Sequence, residues 1–214
     1  TIFVLQTVSP LVMMGGEMLA VVLIIDRFGS LGRWGGGDLM FFFGVMTAQF
    51  YTVECLARGV TNFSPLVRTG ALDAMLLRPR GVLTQVICHA IDLRRIGAIA
   101  VGVVAMTLGA GQAQIVWTPL KVLALMESAV MNGLLIAGLF MIEAVLCIRS
   151  VKSIEMVNIL TYGGRSACQY PIDVYPRPLR ILFMVVAPFA LTMHMPVAYV
   201  LDKPLFHHSL TLKL

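Results

Sequence analysis

Three carboxylates sit inside apolar runs of the chain: Glu17, Glu127 and Glu143. A charged group in hydrocarbon costs about 2.5 kcal/mol or more on insertion scales, so each needs a proton, a partner or water. The chemistry open to them is proton or cation handling, or contact with another subunit. Asn132 and Glu143 are about three helical turns apart, so one face of one helix carries both. Glu17, Asn132 and Glu143 are therefore the candidate pathway or interface residues. The competing reading for Glu17 and Glu143 is a hydrogen bond to a neighbouring helix or a place near the water line. Glu143 is close enough to Arg149 to snorkel towards it. For Glu127, near the outer end of its helix, the competing reading leads.

Other reactive side chains are poorly grouped. His194 lies alone between Pro188 and Pro196 and reads as a hydrogen-bonded packing residue. His207 and His208 are adjacent but lack a third ligand. Cys55, Cys88, Cys147 and Cys168 have no metal-ligand spacing and read as packing residues. No metal site is expected. No Ser/His, His/Glu or two-Asp constellation stands at helical spacing, which argues against an intramembrane enzyme. No Gly-x-x-x-x-Gly-Lys-Ser/Thr run is present, so this chain cannot cradle ATP phosphates in a P-loop. The methionines read as core filler.

The elements that carry these residues are apolar. The chain is 58% hydrophobic and 13% charged, with a mean hydropathy of +0.88. A soluble domain would be about one quarter charged. Strand-period alternation is absent, which argues against a membrane barrel. The fold class is an all-α polytopic membrane protein with six transmembrane helices in one permease domain over 1–214. The spans are predicted at 8–25, 39–57, 96–110, 120–148, 153–168 and 181–201. Trp34 is expected at the headgroup level. Glu54 and Arg58 are one turn apart and can pair. The third span is rich in Gly and Ala and is expected to pack closely on a neighbour. The fourth is long enough to tilt or project. The fifth is weakly apolar and could be re-entrant, and the last is bent by Pro188 and Pro196.

Basic residues set the orientation. Arg58, Arg68, Arg78, Arg80, Arg94 and Arg95 lie between spans two and three, which makes that segment cytoplasmic. Six spans then put both ends inside. Arg165, Arg177 and Arg180 disagree, because they fall outside. The formal charge of +5 reflects helix-end arginines and does not imply nucleic-acid binding. The start at Thr1, without methionine or a leader's charged region, predicts a preceding cytoplasmic segment.

Between spans two and three, the coupling segment 61–80 is too polar and too interrupted to cross a bilayer. Ser64-Pro65 reads as an N-cap followed by a first-turn proline. Gly70 is a left-handed break. A second short helix fits 71–77 and stops at Pro79. Leu72, Met75 and Leu76 share an apolar face, and Arg68, Asp73, Arg78 and Arg80 stay wet. This is a knuckle that a soluble partner could grip and move.

The string Arg68-Thr69-Gly70-Ala71-Leu72-Asp73-Ala74-Met75-Leu76-Leu77-Arg78-Pro79 resembles the R-x-G-x-L-D-x-x-L-L-R-P segment of bacterial type-2 ABC transporter permeases, the ABC-2 family. Ser153-Ile154-Glu155-Met156-Val157-Asn158, Thr161-Tyr162-Gly163-Gly164, Tyr170-Pro171-Ile172, Tyr175-Pro176, Leu179-Arg180 and Pro188 are similar to the same branch. The resemblance implies six spans, a second permease chain (identical or homologous), and two ABC ATPase subunits that carry ATP and Mg. It implies a place in the bacterial inner membrane. It also implies that the knuckle is a coupling helix docked in an ATPase cleft. Leu72, Met75, Leu76 and Leu77 would fill that cleft, with Arg68, Asp73 and Arg78 setting the register and Gly70 and Pro79 shaping the turn. Ala74 is smaller than the bulky residue common in relatives. By analogy with the class the cargo is hydrophobic or amphiphilic, and membrane lipid is a partner. The rival function is a stand-alone ion-coupled transporter or channel using Glu17 and Glu143. The two halves lack matching acid-base residues, which weakens it.

Overall fold

The computed structural model describes residues 2–31, 33–61, 63–87, 92–149, 151–186 and 188–203. The fold is built around α2 (Gly36–Leu56), the helix whose sequence is apolar on all sides. Phe41, Phe42, Phe43 and Phe50 are completely enclosed. Helix α1 (Ile2–Phe28) leads into it through a two-stranded ribbon, β1 (Ser30–Leu31) paired antiparallel with β2 (Trp34–Gly35). Asp38 caps the start of α2, accepting from the Gly35 N–H at 2.8 Å.

Helix α7 (Ile96–Gln112) returns antiparallel along α2 at backbone contact. Gly37 faces Ala113, Phe41 faces Gly109, Gly44 faces Met106 and Ala48 faces Gly102. The two numbers in each pair have the same sum, so the register runs unbroken for about three turns. A Cβ on Gly44 would lie 2.2 Å from the Met106 nitrogen, and one on Gly109 would lie 2.4 Å from the Phe41 nitrogen. The Gly/Ala-rich third span therefore packs as the sequence suggests.

Between α2 and α7 the described residues form four short helices: α3 (Arg58–Thr61), α4 (Phe63–Arg68), α5 (Ala71–Leu76) and α6 (Val82–Ile87). A 3₁₀ turn, Leu93–Arg95, precedes α7, and the Asp92 N–H returns to the Cys55 carbonyl at 3.1 Å. This is the knuckle end of the bundle; the β ribbon marks the opposite end. Helix α8 (Pro119–Arg149) runs from the ribbon end to the knuckle end, and α9 (Val151–Cys168) turns back.

Among the described residues, four helices are long and apolar enough to cross a membrane, Val8–Arg27, Gly36–Leu56, Leu93–Gln112 and Pro119–Leu146, or five if the bent pair Arg177–Val185 and Ala190–Val200 is one span. Helix α9, the predicted fifth span, is not one of them. Its partners show where it stops. Tyr162 meets Glu54 near the knuckle end of α2, and the Arg165 guanidinium stacks over Tyr51. The helix therefore ends part-way along α2, and an irregular stretch continues to the ribbon, where Asp173 pairs with Arg33. The Tyr175 O–H ties this stretch back to the Ala167 carbonyl at 2.9 Å; burial pushes that phenol up to about 12, so it stays a donor.

The predicted sixth span differs most from expectation. Helix α10 (Arg177–Ile181) continues through a π-helical turn, Leu182–Val186. A second π-helical turn, Ala190–His194, leads into α11 (Met195–Val200). The two limbs are bent by 85°. Each is about 15 Å long, half of a ~30 Å hydrocarbon core. The segment starts at the ribbon end, where Arg180 donates to the Asp173 carbonyl at 2.8 Å. It finishes there too: Lys203 lies 3.0 Å from Asp38, and Lys121 lies 2.6 Å from Asp202. Arg180 at the first foot and Lys203 at the second thus both lie at the ribbon end. Pro188 removes a backbone donor at the tip, and the ion pairs at the feet hold both limbs at one level.

Trp34 also departs from expectation. It is 1% exposed, edge-on to Phe42, with Arg33 and Lys203 over its ring. It plugs the ribbon end instead of resting at a headgroup surface.

Two outcomes check this fold. Gly109→Val should destabilise the protein by about 3 kcal/mol or more, because the obstructing atoms are backbone; Gly138→Ala, with nothing within 4 Å of a Cβ, should leave thermal unfolding in detergent unchanged. Single cysteines at Asp202 and Ser30 should react with an impermeant maleimide from the same side of oriented vesicles, and one at Leu77 from the other.

Candidate functional site

The knuckle is shaped by a few backbone decisions. Gly70 has φ +71°, the left-handed conformation predicted for the break between α4 and α5. Helix α4 already includes Ser64 and Pro65, so its first turn begins at Phe63, one residue before the predicted cap. Leu66 and Met75 are buried, while Phe63 and Leu72 are half-buried against the core. Leu76 is 57% and Leu77 87% exposed. Asp73, Arg78 and Pro79 are exposed beside them. Gln85 of α6 fastens the loop from behind, donating to the Met75 carbonyl at 3.1 Å and the Arg80 carbonyl at 3.0 Å. The apolar ridge expected from spacing is thus divided: Met75 and Leu72 anchor it, and Leu76 and Leu77 project. The Arg68 side chain lies outside the described residues.

Behind the knuckle a set of ion pairs runs into the bundle. Glu54 is 1% exposed and accepts from Arg95 at 2.7 Å and from the Tyr162 hydroxyl at 3.2 Å. Arg94 holds Asp92 at 2.6 Å, and Asp92 also caps the Leu93–Arg95 turn. Deeper in, Arg165 is 5% exposed and donates to Glu17 at 2.8 Å. Gln169 donates to the same oxygen of Glu17 at 3.1 Å. Tyr51 connects the two pairs: Arg95 lies 5.5 Å from its ring centroid and Arg165 5.0 Å. The network joins α1, α2, the turn entering α7 and α9. It places the foot of the knuckle in mechanical contact with the helices around it. Its charges compensate one another, which suits them to fixing geometry.

A model of the ABC-2 family transporter protein matches residues 11–214. The chain belongs to that family. It is a multi-pass membrane protein and a membrane transport component, in a family whose permeases work with ATP-binding subunits. No match to a curated protein or to a solved structure reaches significance.

Set against this membership, the predicted site residues fall into separate places. Glu17 is in the ion network. Asn132 is not: it is fully buried in a neutral layer nearer the ribbon end. There it donates to Gln49 at 2.7 Å and accepts from Thr192 at 3.4 Å, while Gln49 donates to Ser128 at 3.4 Å. Glu143 is half-buried on α8 and lies within electrostatic reach of Glu54 and Tyr162. The shared face of Asn132 and Glu143 therefore serves two different layers. Glu127 is exposed on α8. His194 is a buried packing residue, its Nδ1 3.4 Å from the Ile172 N–H and its ring against Trp34 and Phe42. The predicted Glu54–Arg58 pair cannot be placed, since the Arg58 side chain is outside the described residues; Glu54 engages Arg95 and Tyr162. His207 and His208 also lie outside them.

Sequence reasoning missed Arg165, Tyr51 and Arg95 as members of one network. The signal for Arg165 was present, because its charge contradicted the predicted topology. Its partner is 148 positions away, beyond any periodicity argument. Arg165→Leu should cost about 1.5–3 kcal/mol of stability, the loss of a hydrogen bond to a charged group, since Glu17 keeps Gln169 and is 31% exposed. The double variant Arg165→Leu/Glu17→Gln should recover a large part of that loss in detergent unfolding.

Proposed function

We propose that this chain is the membrane subunit of an ATP-binding cassette exporter. Separate ATPase subunits drive it by alternating access, and a hydrophobic or amphiphilic cargo crosses the bacterial inner membrane. The observation that carries the proposal is the exposed Leu76–Leu77 pair on a short helix braced by Gln85, within a member of the ABC-2 family. Exposed leucines beside Asp73 and Arg78 suit an apolar anchor inside a charged rim, the usual anatomy of a binding hot spot.

In this reading the knuckle end is cytoplasmic, and two permease chains meet two ATPases that hold ATP and Mg. Leu76 and Leu77 enter the ATPase cleft, while Arg68, Asp73 and Arg78 set the register. Gly70 and Pro79 fix the turns on either side. Leu72 and Met75 act from beneath, holding the helix to the bundle. Closure of the ATPases displaces the knuckle, and the Asp92–Arg95 turn and Glu54 carry that displacement to α9 and α1. Rigid-body rocking of packed helices is the matching class of motion. The rival reading, a stand-alone ion-coupled transporter or channel using Glu17 and Glu143, is less well supported at Glu17, because Arg165 and Gln169 already occupy that carboxylate.

Leu76→Asp and Leu77→Asp should each weaken ATPase binding by roughly 30-fold, the effect of losing about 2 kcal/mol at a hot spot. Both should leave the permease folded. Met75→Ala should instead lower unfolding stability, by about 2–3 kcal/mol, through the cavity it opens. Co-purification of the ATPase together with thermal unfolding separates the two effects. Undiminished ATPase binding and transport in the Asp variants would remove the proposal.

A further inference from the structure

The ribbon end gathers N–H donors to which the described residues offer no acceptor. Trp34 is 1% exposed, and its Nε1–H has no partner. Arg33 and Lys203 lie over its ring, 5.3 and 5.9 Å from the centroid, so the π face serves cations and the N–H is left at the edge. His194 is 5% exposed. Its Nδ1 accepts the Ile172 N–H at 3.4 Å, which puts the ring proton on Nε2, and Nε2 has no partner either. The two rings stand 5.8 Å apart. Donors that each reach about 3 Å can meet on one acceptor at that spacing. Arg180 adds charge. Its Nη2 donates to the Asp173 carbonyl at 2.8 Å and the Tyr175 carbonyl at 3.2 Å, while its buried Nε has no acceptor. It lies within electrostatic reach of His194. The Asp173 carboxylate also reaches His194 but is held by Arg33. Lys203 pairs with Asp38 and Lys121 with Asp202, so Arg180 is the cation of this cluster without a carboxylate among the described residues.

We propose that the ribbon end binds one small monovalent anion of halide size, which accepts from Trp34 Nε1–H and His194 Nε2–H and balances the Arg180 guanidinium. The unmet side-chain atoms here are N–H groups, and that selects the ligand. A water molecule would satisfy two of them but would bring two O–H groups of its own that need acceptors. An anion accepts from every side, donates nothing and offsets the surplus charge. Enclosure of both rings favours a small ion that gives up its hydration easily. The ion ties β2, through Trp34, to the π-helical turn before α11, through His194, and to α10, through Arg180. It thereby adds a central tie to the end that the ion pairs already brace. The site depends on these three side chains alone and would stand if the ATPase-docking role of Leu76 and Leu77 failed.

The test uses the full chain in nanodiscs, in gluconate buffer. The sequence has two tryptophans, so Trp117→Phe leaves Trp34 as the sole indole. Bromide, which quenches indole fluorescence on contact, replaces gluconate at constant ionic strength. Quenching should saturate, and chloride should reverse it by competition. Bromide at ten times its half-saturation concentration should raise the unfolding midpoint by roughly 3–6 °C. Arg180→Gln, at a half-buried side chain, should raise the half-saturation concentration roughly tenfold or more. His194→Phe keeps a ring in place, removes the donor and should weaken binding to a similar degree. Circular dichroism in gluconate checks that each variant is folded. The proposal is overturned if quenching rises linearly with bromide, or if bromide neither quenches nor shifts the unfolding midpoint, the result expected of donors met by water. It is equally overturned by saturable quenching that Arg180→Gln and His194→Phe leave unchanged.

Discussion

Backbone contact between α2 and α7 is the constraint from which the rest of this architecture follows. Hydrocarbon provides no hydrophobic force to bring helices together, so association relies on close packing and on polar groups. Glycines at both Gly37/Gly44 and Gly102/Gly109 remove the side chains that would hold the axes apart. With α7 pressed on one side, the aromatic side of α2 is left for α1, α8 and α9. Phe42 then packs against Trp34 and His194 and Phe50 against Phe140 and Tyr162, while Phe41 stays on the α7 side, against Trp117. The knuckle closes the same helix pair at one end, so its two roots sit side by side.

Polar groups act at fixed levels along α2. Lys203 marks its start through Asp38, Asn132, itself bonded by Thr192, meets it at Gln49, and Arg165 and Arg95 flank Tyr51. Each layer joins helices distant in sequence, and each penalises slippage by the cost of stranding a polar group. The neutral layer and the charged layer differ in what they can transmit. Neutral hydrogen bonds hold the hairpin tip in the bundle. The charged layer reaches from the foot of the knuckle to α1 and α9 and lies on the path between the exposed leucines and the membrane helices.

The two ends of the protein are built differently. The ribbon end is locked by ion pairs Arg33–Asp173, Lys203–Asp38 and Lys121–Asp202 around a buried tryptophan. The knuckle end is made of short helices, and among the described residues Val60, Leu66, Met75 and Val86 are buried and fix it to the bundle. Short elements with modest burial move more easily than long packed helices. An arrangement with one braced end and one adjustable end suits a membrane transport component.

How much of this was legible in one dimension depended on the range of the interaction. Apolar runs alone determined the membrane class and the four long helices, because crossing hydrocarbon is a local requirement on length and composition. Gly70 declared its left-handed turn, and the Gly/Ala content of α7 declared a tight neighbour, for equally local reasons. The identity of that neighbour, the inward turn of Met75, the burial of Trp34 and the pairing of Glu17 with Arg165 were decided only in three dimensions. So was the return of Lys203 to the ribbon end. A run of apolar residues around Pro188 has the composition of a span whether it crosses or doubles back. Only contacts at its two feet separate these outcomes, and those contacts lie with Arg33, Asp38 and Lys121, far away in the chain.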